Sequence, residues 1–300
     1  MQPPNQLQRN APLQQNRAIT LIVPGVKTAD GAGVQLTRFL GTTALPRLDP
    51  FLLLDMMYSD QPQDYTAGFP AHPHRGFETV TYVLAGCGRH QDNQGHSGLI
   101  KAGGVQWMTA GRGIIHSEMP ESVDGLQWGF QLWLNLPAAQ KMTPPRYQEF
   151  DAHKIPVEQP VPGIQVRVIA GCTSQGTQGP IQPSTTEPIY WDLSIASGQI
   201  FTERLPSTHN SFILVYEGQA AVLTDIAHSQ QASQQILSAG NLAVLGAGDR
   251  VQIQAVGQTS KLLLLAGKPL NEPVVQQGPF VMNTQAEIVQ AIQDYQAGRF

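Results

Sequence analysis

Two cysteines in 300 residues, Cys87 and Cys172, cannot make a disulfide framework or a thiolate metal knuckle. They are expected to be reduced thiols in a cytoplasmic protein. Charge is sparse: charged residues make up 13% of the chain and the net charge is −4. Nothing in that balance points to a nucleic acid or an acidic membrane surface as partner. Long apolar runs are missing too. The stretch Leu262 to Ala266 is strand-sized, far short of the ~20 residues a membrane-spanning helix needs. The opening Met1-Gln2-Pro3-Pro4-Asn5-Gln6 has no basic segment leading into an apolar one, so no secretory signal is expected. Residues 1–17 read as a disordered polar lead-in.

What the chain has in quantity is punctuation, with 29 glycines and 23 prolines. Between them lie short apolar or alternating runs, among them Ile19–Val23, Glu78–Leu84, Phe130–Leu136, Phe212–Tyr216 and Lys261–Ala266. That pattern predicts an all-β fold. One helix is expected, near the carboxy end, capped by Asn283 or Thr284 and striped by Ile288, Val289, Ile292 and Tyr295. The proline-rich stretch Ala138 to Pro162 reads as a connection, dividing the chain into a first half over 18–145 and a second over 146–300.

The halves repeat. Tyr82-Val83-Leu84-Ala85-Gly86 aligns with Leu214-Val215-Tyr216-Glu217-Gly218, and residues 102–112 align with 239–249 through shared glycine turns. Two copies of one strand–turn–strand unit predict two similar antiparallel β-barrels in tandem.

Only one copy carries candidate chemistry. His72-Pro73-His74 and His116-Ser117-Glu118 each place two metal-ligand types at i and i+2, a spacing that points both side chains to one face of a strand. Two such strands side by side would gather His72, His74, His116 and Glu118 around one divalent transition metal. Pro73 supports the extended conformation at His72. In the ungapped repeat alignment Arg204, Pro206, Ile253 and Ala255 stand in place of the four, so folding alone does not demand them.

Glu78 shares the strand face of His74 and is the alternative carboxylate. Glu118 is preferred as ligand, leaving Glu78 as a supporting residue or a partner for Arg75. Gln131, inside Phe130–Leu134, either lines the pocket or caps a strand; Phe69, Trp107 and Met108 either wall a cavity or fill a core. His90, His96, His153, His209 and His228 are read as surface or hydrogen-bonded histidines, with His96 in a loop.

The segments His72–Thr79, Trp107–Pro120 and Gly278–Thr284 closely resemble the pirin family of the cupin superfamily, and the similarity runs from about Leu21 to Phe300. The resemblance implies a bicupin, two jelly-roll barrels with a short C-terminal helix. It implies one mononuclear metal in the first barrel, held by His72, His74, His116 and Glu118, and an empty second barrel. The metal it implies is Fe(II), with Cu, Ni, Mn, Co or Zn as alternatives. Two functions of different class follow. One is a quercetin 2,3-dioxygenase, an oxidoreductase acting on a flavonol-like aromatic and dioxygen, with Glu118 as its general base. The other is a non-catalytic, iron-dependent, redox-sensing regulator that binds a protein partner.

Overall fold

The computed structural model describes residues 15–121, 125–181, 185–224 and 234–300. Most of the polar lead-in, His228 and most of the glutamine-rich loop Ser229 to Gln235 lie outside the described residues. The chain opens with β1 (Ile19–Pro24), β2 (Val26–Asp30), β3 (Val34–Leu40), β4 (Phe51–Ser59), β5 (Phe69–His74) and β6 (Phe77–Ala85). Next come β7 (Cys87–Asp92), β8 (Ser97–Lys101), β9 (Val105–Thr109), β10 (Ile114–Pro120), β11 (Gln127–Asn135) and β12 (Arg146–Phe150). The second series begins with β13 (Val157–Glu158), β14 (Ile164–Ala170), β15 (Ile189–Ile195), β16 (Ile200–Arg204), β17 (Asn210–Glu217) and β18 (Gln219–Leu223). It closes with β19 (Gln234–Ser238), β20 (Asn241–Leu245), β21 (Arg250–Ala255), β22 (Ser260–Gly267), β23 (Val275–Gln277), β24 (Phe280–Met282) and helix α1 (Gln285–Gln296).

The strands form two sandwiches of matching plan. In the first, a seven-stranded sheet in the order β12-β9-β6-β11-β4-β3-β2 covers a four-stranded sheet in the order β5-β10-β7-β8. In the second, β1-β20-β17-β22-β15-β14-β13 covers β16-β21-β18-β19. Strand β1 sits away from its sequence neighbours and completes the large sheet of the second sandwich, while β12, following β11, completes that of the first.

The expected barrels are not there. The fold is all-β with a C-terminal helix, but no sheet closes on itself among the described residues. A barrel requires the outer strands of a sheet to pair with each other, and here β2, β12, β5 and β8 are edges. The edge strand β5 carries Pro70 and Pro73, which have no amide hydrogen to donate to a closing ladder. Alternation in the sequence predicts strands and faces; it does not say which edges meet.

Burial explains the two kinds of strand. The large sheets pack against each other through a shared core that includes Val80, Tyr82 and Trp107 from the first half and Phe212, Leu214, Leu263 and Leu265 from the second. The other faces of β17 and β22, with Ile213, Val215, Leu262 and Leu264, fill the inside of the second sandwich. Both faces of Leu262–Leu265 are therefore dry, and the run is apolar without alternation. Each such leucine contributes roughly 1.5–3 kcal/mol by burial. The shared core holds a polar tie: the Tyr82 and Tyr216 hydroxyls donate to the two oxygens of Asp192 at 2.7 and 2.6 Å.

Helix α1 starts at a capping box in which Thr284 and Glu287 satisfy each other's backbone amides. Its buried face is Ile288 and Ala291, packed on Phe280 and Met282, whereas Val289 is exposed. Among the described residues no helix is long and apolar enough to cross a membrane.

Candidate metal centre

Strands β5 and β10 run antiparallel with His72 opposite His116 and His74 opposite Ile114. The three imidazoles point inward between the two sheets of the first sandwich. One ring nitrogen from each of His72, His74 and His116 lies within 4.8 Å of the other two. Nε2 of His72 and Nε2 of His74 are 3.0 Å apart. On its far side Nδ1 of His72 meets the Pro70 carbonyl at 2.8 Å. That carbonyl can only accept, so the proton of a neutral His72 sits on Nδ1 and its Nε2 lone pair faces the cluster. Phe77 and Trp133 pack edgewise on the ring of His74.

The electrostatics hold His74 and His116 neutral. Burial, reinforced by His116 and His72, keeps His74 well below the usual histidine range. His116 is lowered to about 4, again chiefly by burial, with Glu118 opposing. Neither ring nitrogen of buried His116 has a hydrogen-bond partner. A buried, unsatisfied imidazole is costly in a dry pocket unless a cation takes its lone pair. Three imidazole nitrogens facing one point fit a transition metal, and the cluster is suitable for a single ion.

Glu118 lies outside that 4.8 Å group. The register slips between His116 and Glu118, which brings Glu118 opposite Phe69. Its Oε1 accepts from the Thr81 hydroxyl at 3.1 Å, and Thr81 also meets the Gln131 amide at 2.7 Å. A hydroxyl has one proton to give. With the amide turned so that its NH2 faces Thr81, a chain runs from Gln131 through Thr81 to the carboxylate.

Glu78 points elsewhere. It is buried beside Thr109, whose hydroxyl donates to it at 2.7 Å. Burial pushes its pKa up, against hydrogen bonds from Thr109 and Trp107. Nor does it pair with Arg75, whose carboxylate partner is Asp294. His96 is an exposed loop residue bound to Asp92 at 2.9 Å. His90 is buried next to the site, opposite Glu118 in the ladder and 2.5 Å from Glu149.

His72 and His74 open onto a cavity of about 950 Å3 lined by Phe69, Trp128, Trp133, Leu53 and Met57 among apolar groups. Trp107 and Met108 belong to separate cores instead. One side of the interior is polar. Directly opposed residues carry a single row across six strands: Arg38, Asp55, Gln131, Thr81, Gln106 and Glu149. Arg38 grips both oxygens of Asp55 at 2.8 and 2.7 Å. Sequence reasoning overlooked Arg38, Asp55 and Thr81. The available signal was a lone polar residue inside an apolar run, as in Phe51-Leu52-Leu53-Leu54-Asp55-Met56.

Comparison with known proteins agrees with this architecture. A family model described as Pirin matches residues 33–134, and one described as Pirin C-terminal cupin domain matches residues 190–300. A pirin-like protein of Caulobacter vibrioides is 48% identical over 284 residues, 95% of this chain and 99% of the relative. Human pirin is 41% identical over 282 residues, 93% and 92% of the two chains. The crystal structure of quercetin 2,3-dioxygenase from Acinetobacter baumannii superposes with a TM-score of 0.83 at 35% identity, covering 95% of this chain and 98% of that one. The two matched segments take in both sandwiches and the relatives align along nearly their whole length, so this chain belongs to the pirin family.

Proposed function

We propose that the chain is a metal-dependent dioxygenase of the quercetin 2,3-dioxygenase type, acting on a flavonol-like aromatic with dioxygen. The observation that carries this reading is the convergence of three imidazoles, those of His72 and His74 on the wall of an aromatic-lined cavity. The likeness to the Acinetobacter enzyme supports it.

His72, His74 and His116 would hold the ion, with Glu118 as the fourth ligand, and Fe(II) is the assignment. When bound, the metal supplies Lewis acidity and an electron path between the substrate and dioxygen. The chain's own groups do the rest. Phe69, Trp128 and Trp133 seat an aromatic ring and exclude water. Thr81 steadies Glu118 through Oε1, leaving Oε2 to take the proton of a substrate hydroxyl.

The test is to load the protein with Fe(II) under anaerobic conditions and add quercetin and air. The flavonol band should bleach with release of carbon monoxide, and His116→Ala should do neither. Bleaching that proceeds equally without metal, or none at all in the loaded protein, overturns the proposal.

A further inference from the structure

The residue that follows His74 is gripped from the far end of the chain. Arg75 donates its backbone N–H to the Pro279 carbonyl at 3.3 Å and accepts from Val281 N–H at 3.0 Å. Its guanidinium is buried. Nη1 pairs with Oδ2 of Asp294 on α1 at 2.7 Å, and the cation sits 4.3 Å from the centre of the Phe300 ring. Its Nε donates to the Arg112 carbonyl at 2.5 Å.

The second ligand strand is held from the same side. The Phe300 ring lies against Gly113, one residue before β10 begins; a Cβ there would stand 2.8 Å from the ring. The Phe300 carbonyl accepts from Asn93 Nδ2 at 2.8 Å. Beneath, the buried ammonium of Lys141 ties the Gly76 and Val281 carbonyls together, at 2.9 and 2.8 Å.

We propose that the segment from β23 to Phe300 positions the metal ligands, with Arg75, Asp294 and Phe300 as its working contacts. The turn that leaves His74 and the turn that enters the His116 strand are pinned to one external frame. That frame fixes the separation of the two ligand strands, which the ladder alone, ending at an edge, holds from one side only. Ring nitrogens on strands free to splay release an ion faster. Asp294 and Phe300 touch no ligand side chain, so they act through Arg75 and Gly113 as positioning residues.

This inference rests on the metal-centre reading, and one experiment separates the two. Full-length protein is loaded with Co(II), and its visible absorption is followed while a chelator competes. If wild type takes up no cobalt, or His116→Ala binds as well as wild type, the metal-centre reading fails. Given binding, Asp294→Asn and Phe300→Ala should release cobalt about 10–100-fold faster, as when a metal ligand loses its supporting partner. Phe300→Trp should restore slow release, and the metal-free variants should unfold at the temperature of metal-free wild type. Asp294→Asn is nearly isosteric and gives the answer even if Phe300→Ala does not fold. Release no faster than wild type in Asp294→Asn overturns the inference. So does faster release that merely follows a loss of global stability and is not restored by Phe300→Trp.

Discussion

Strands β6 and β17 hold the same place in the two sandwiches. Yet Phe77–Ala85 alternates Val80 and Tyr82 with Thr79 and Thr81, whereas Ser211–Tyr216 is apolar almost throughout. Both send one face into the shared core. They differ in what the other face meets: a cavity of about 950 Å3 for β6 and a packed interior for β17. His72 lies opposite His116, and in the matching ladder Phe201 lies opposite Ile253. By the same pairing His74 corresponds to Glu203, whose carboxylate is taken up by the backbone amides of Ser174 and Arg204 at 3.1 and 2.7 Å. One plan therefore serves as a container in the first half and as a solid core in the second. Filling is the default; keeping a space open takes a row of polar side chains that satisfy one another.

Equivalent truncations on the two sides should fail in opposite ways. His116→Ala is expected to lose metal by more than the ~10–100-fold that follows loss of a ligand's supporting partner, with its metal-free stability intact or improved. Elemental analysis after dialysis reads the first outcome and urea unfolding the second. Ile253→Ala, at the counterpart position, should keep its metal and lose about 2–5 kcal/mol of stability, because it leaves a hole in a packed core. If the two variants behaved alike, the contrast between container and core would fall.

Acid should act mainly on the container. His116 has a folded pKa near 4, below its ordinary 6.5, so the unfolded chain takes up a proton that the folded one refuses. The contribution is present above about pH 6.5 and is lost as pH falls toward 4, a drop on the order of 3 kcal/mol in the metal-free protein. Denaturant titrations of metal-free protein between those limits should show that slope, flattened in His116→Ala. The smallest expected effect is at Thr81. Thr81→Val removes the hydroxyl between Gln131 and Glu118 while keeping its shape. The turnover rate kcat should fall about tenfold, a fraction of the ~10²–10⁴ a general base supplies. Stability should move by no more than ~1 kcal/mol, and steady-state kinetics beside a melting curve would record both. An unchanged kcat would mean that Thr81 only lines the cavity.

The three histidines were legible because strand parity needs nothing beyond the local chain: His72-Pro73-His74 must face one way if extended, and so must His116 and Glu118. The capped helix was legible for the same reason, since Thr284 and Glu287 are one turn apart. Relations between distant segments were not. Whether sheet edges meet depends on partners far along the chain, which is why open sandwiches were read as barrels. The ungapped alignment set His72 and His74 against Arg204 and Pro206, three residues away from Phe201 and Glu203, because glycine turns fix the register only of the strands beside them. The bulge after His116, which decides how Glu118 sits, leaves no mark in the composition. Arg38 and Asp55 gain their meaning only once β3 and β4 lie side by side.

The crossing of β1 to the second sandwich has a topological consequence. The large sheet of the second sandwich is finished by a strand that precedes the whole first sandwich in the chain, so no single cut in the connecting stretch yields two self-sufficient pieces. A nick between Pro160 and Val161 would leave an amino-terminal fragment carrying the arm that the other fragment's β20 edge requires. Such fragments should find each other and reassemble rather than drift apart. The same arm, displaced while a crowded solution refolds, can seat on the β20 of another copy, which makes swapped oligomers the characteristic misfold of this architecture.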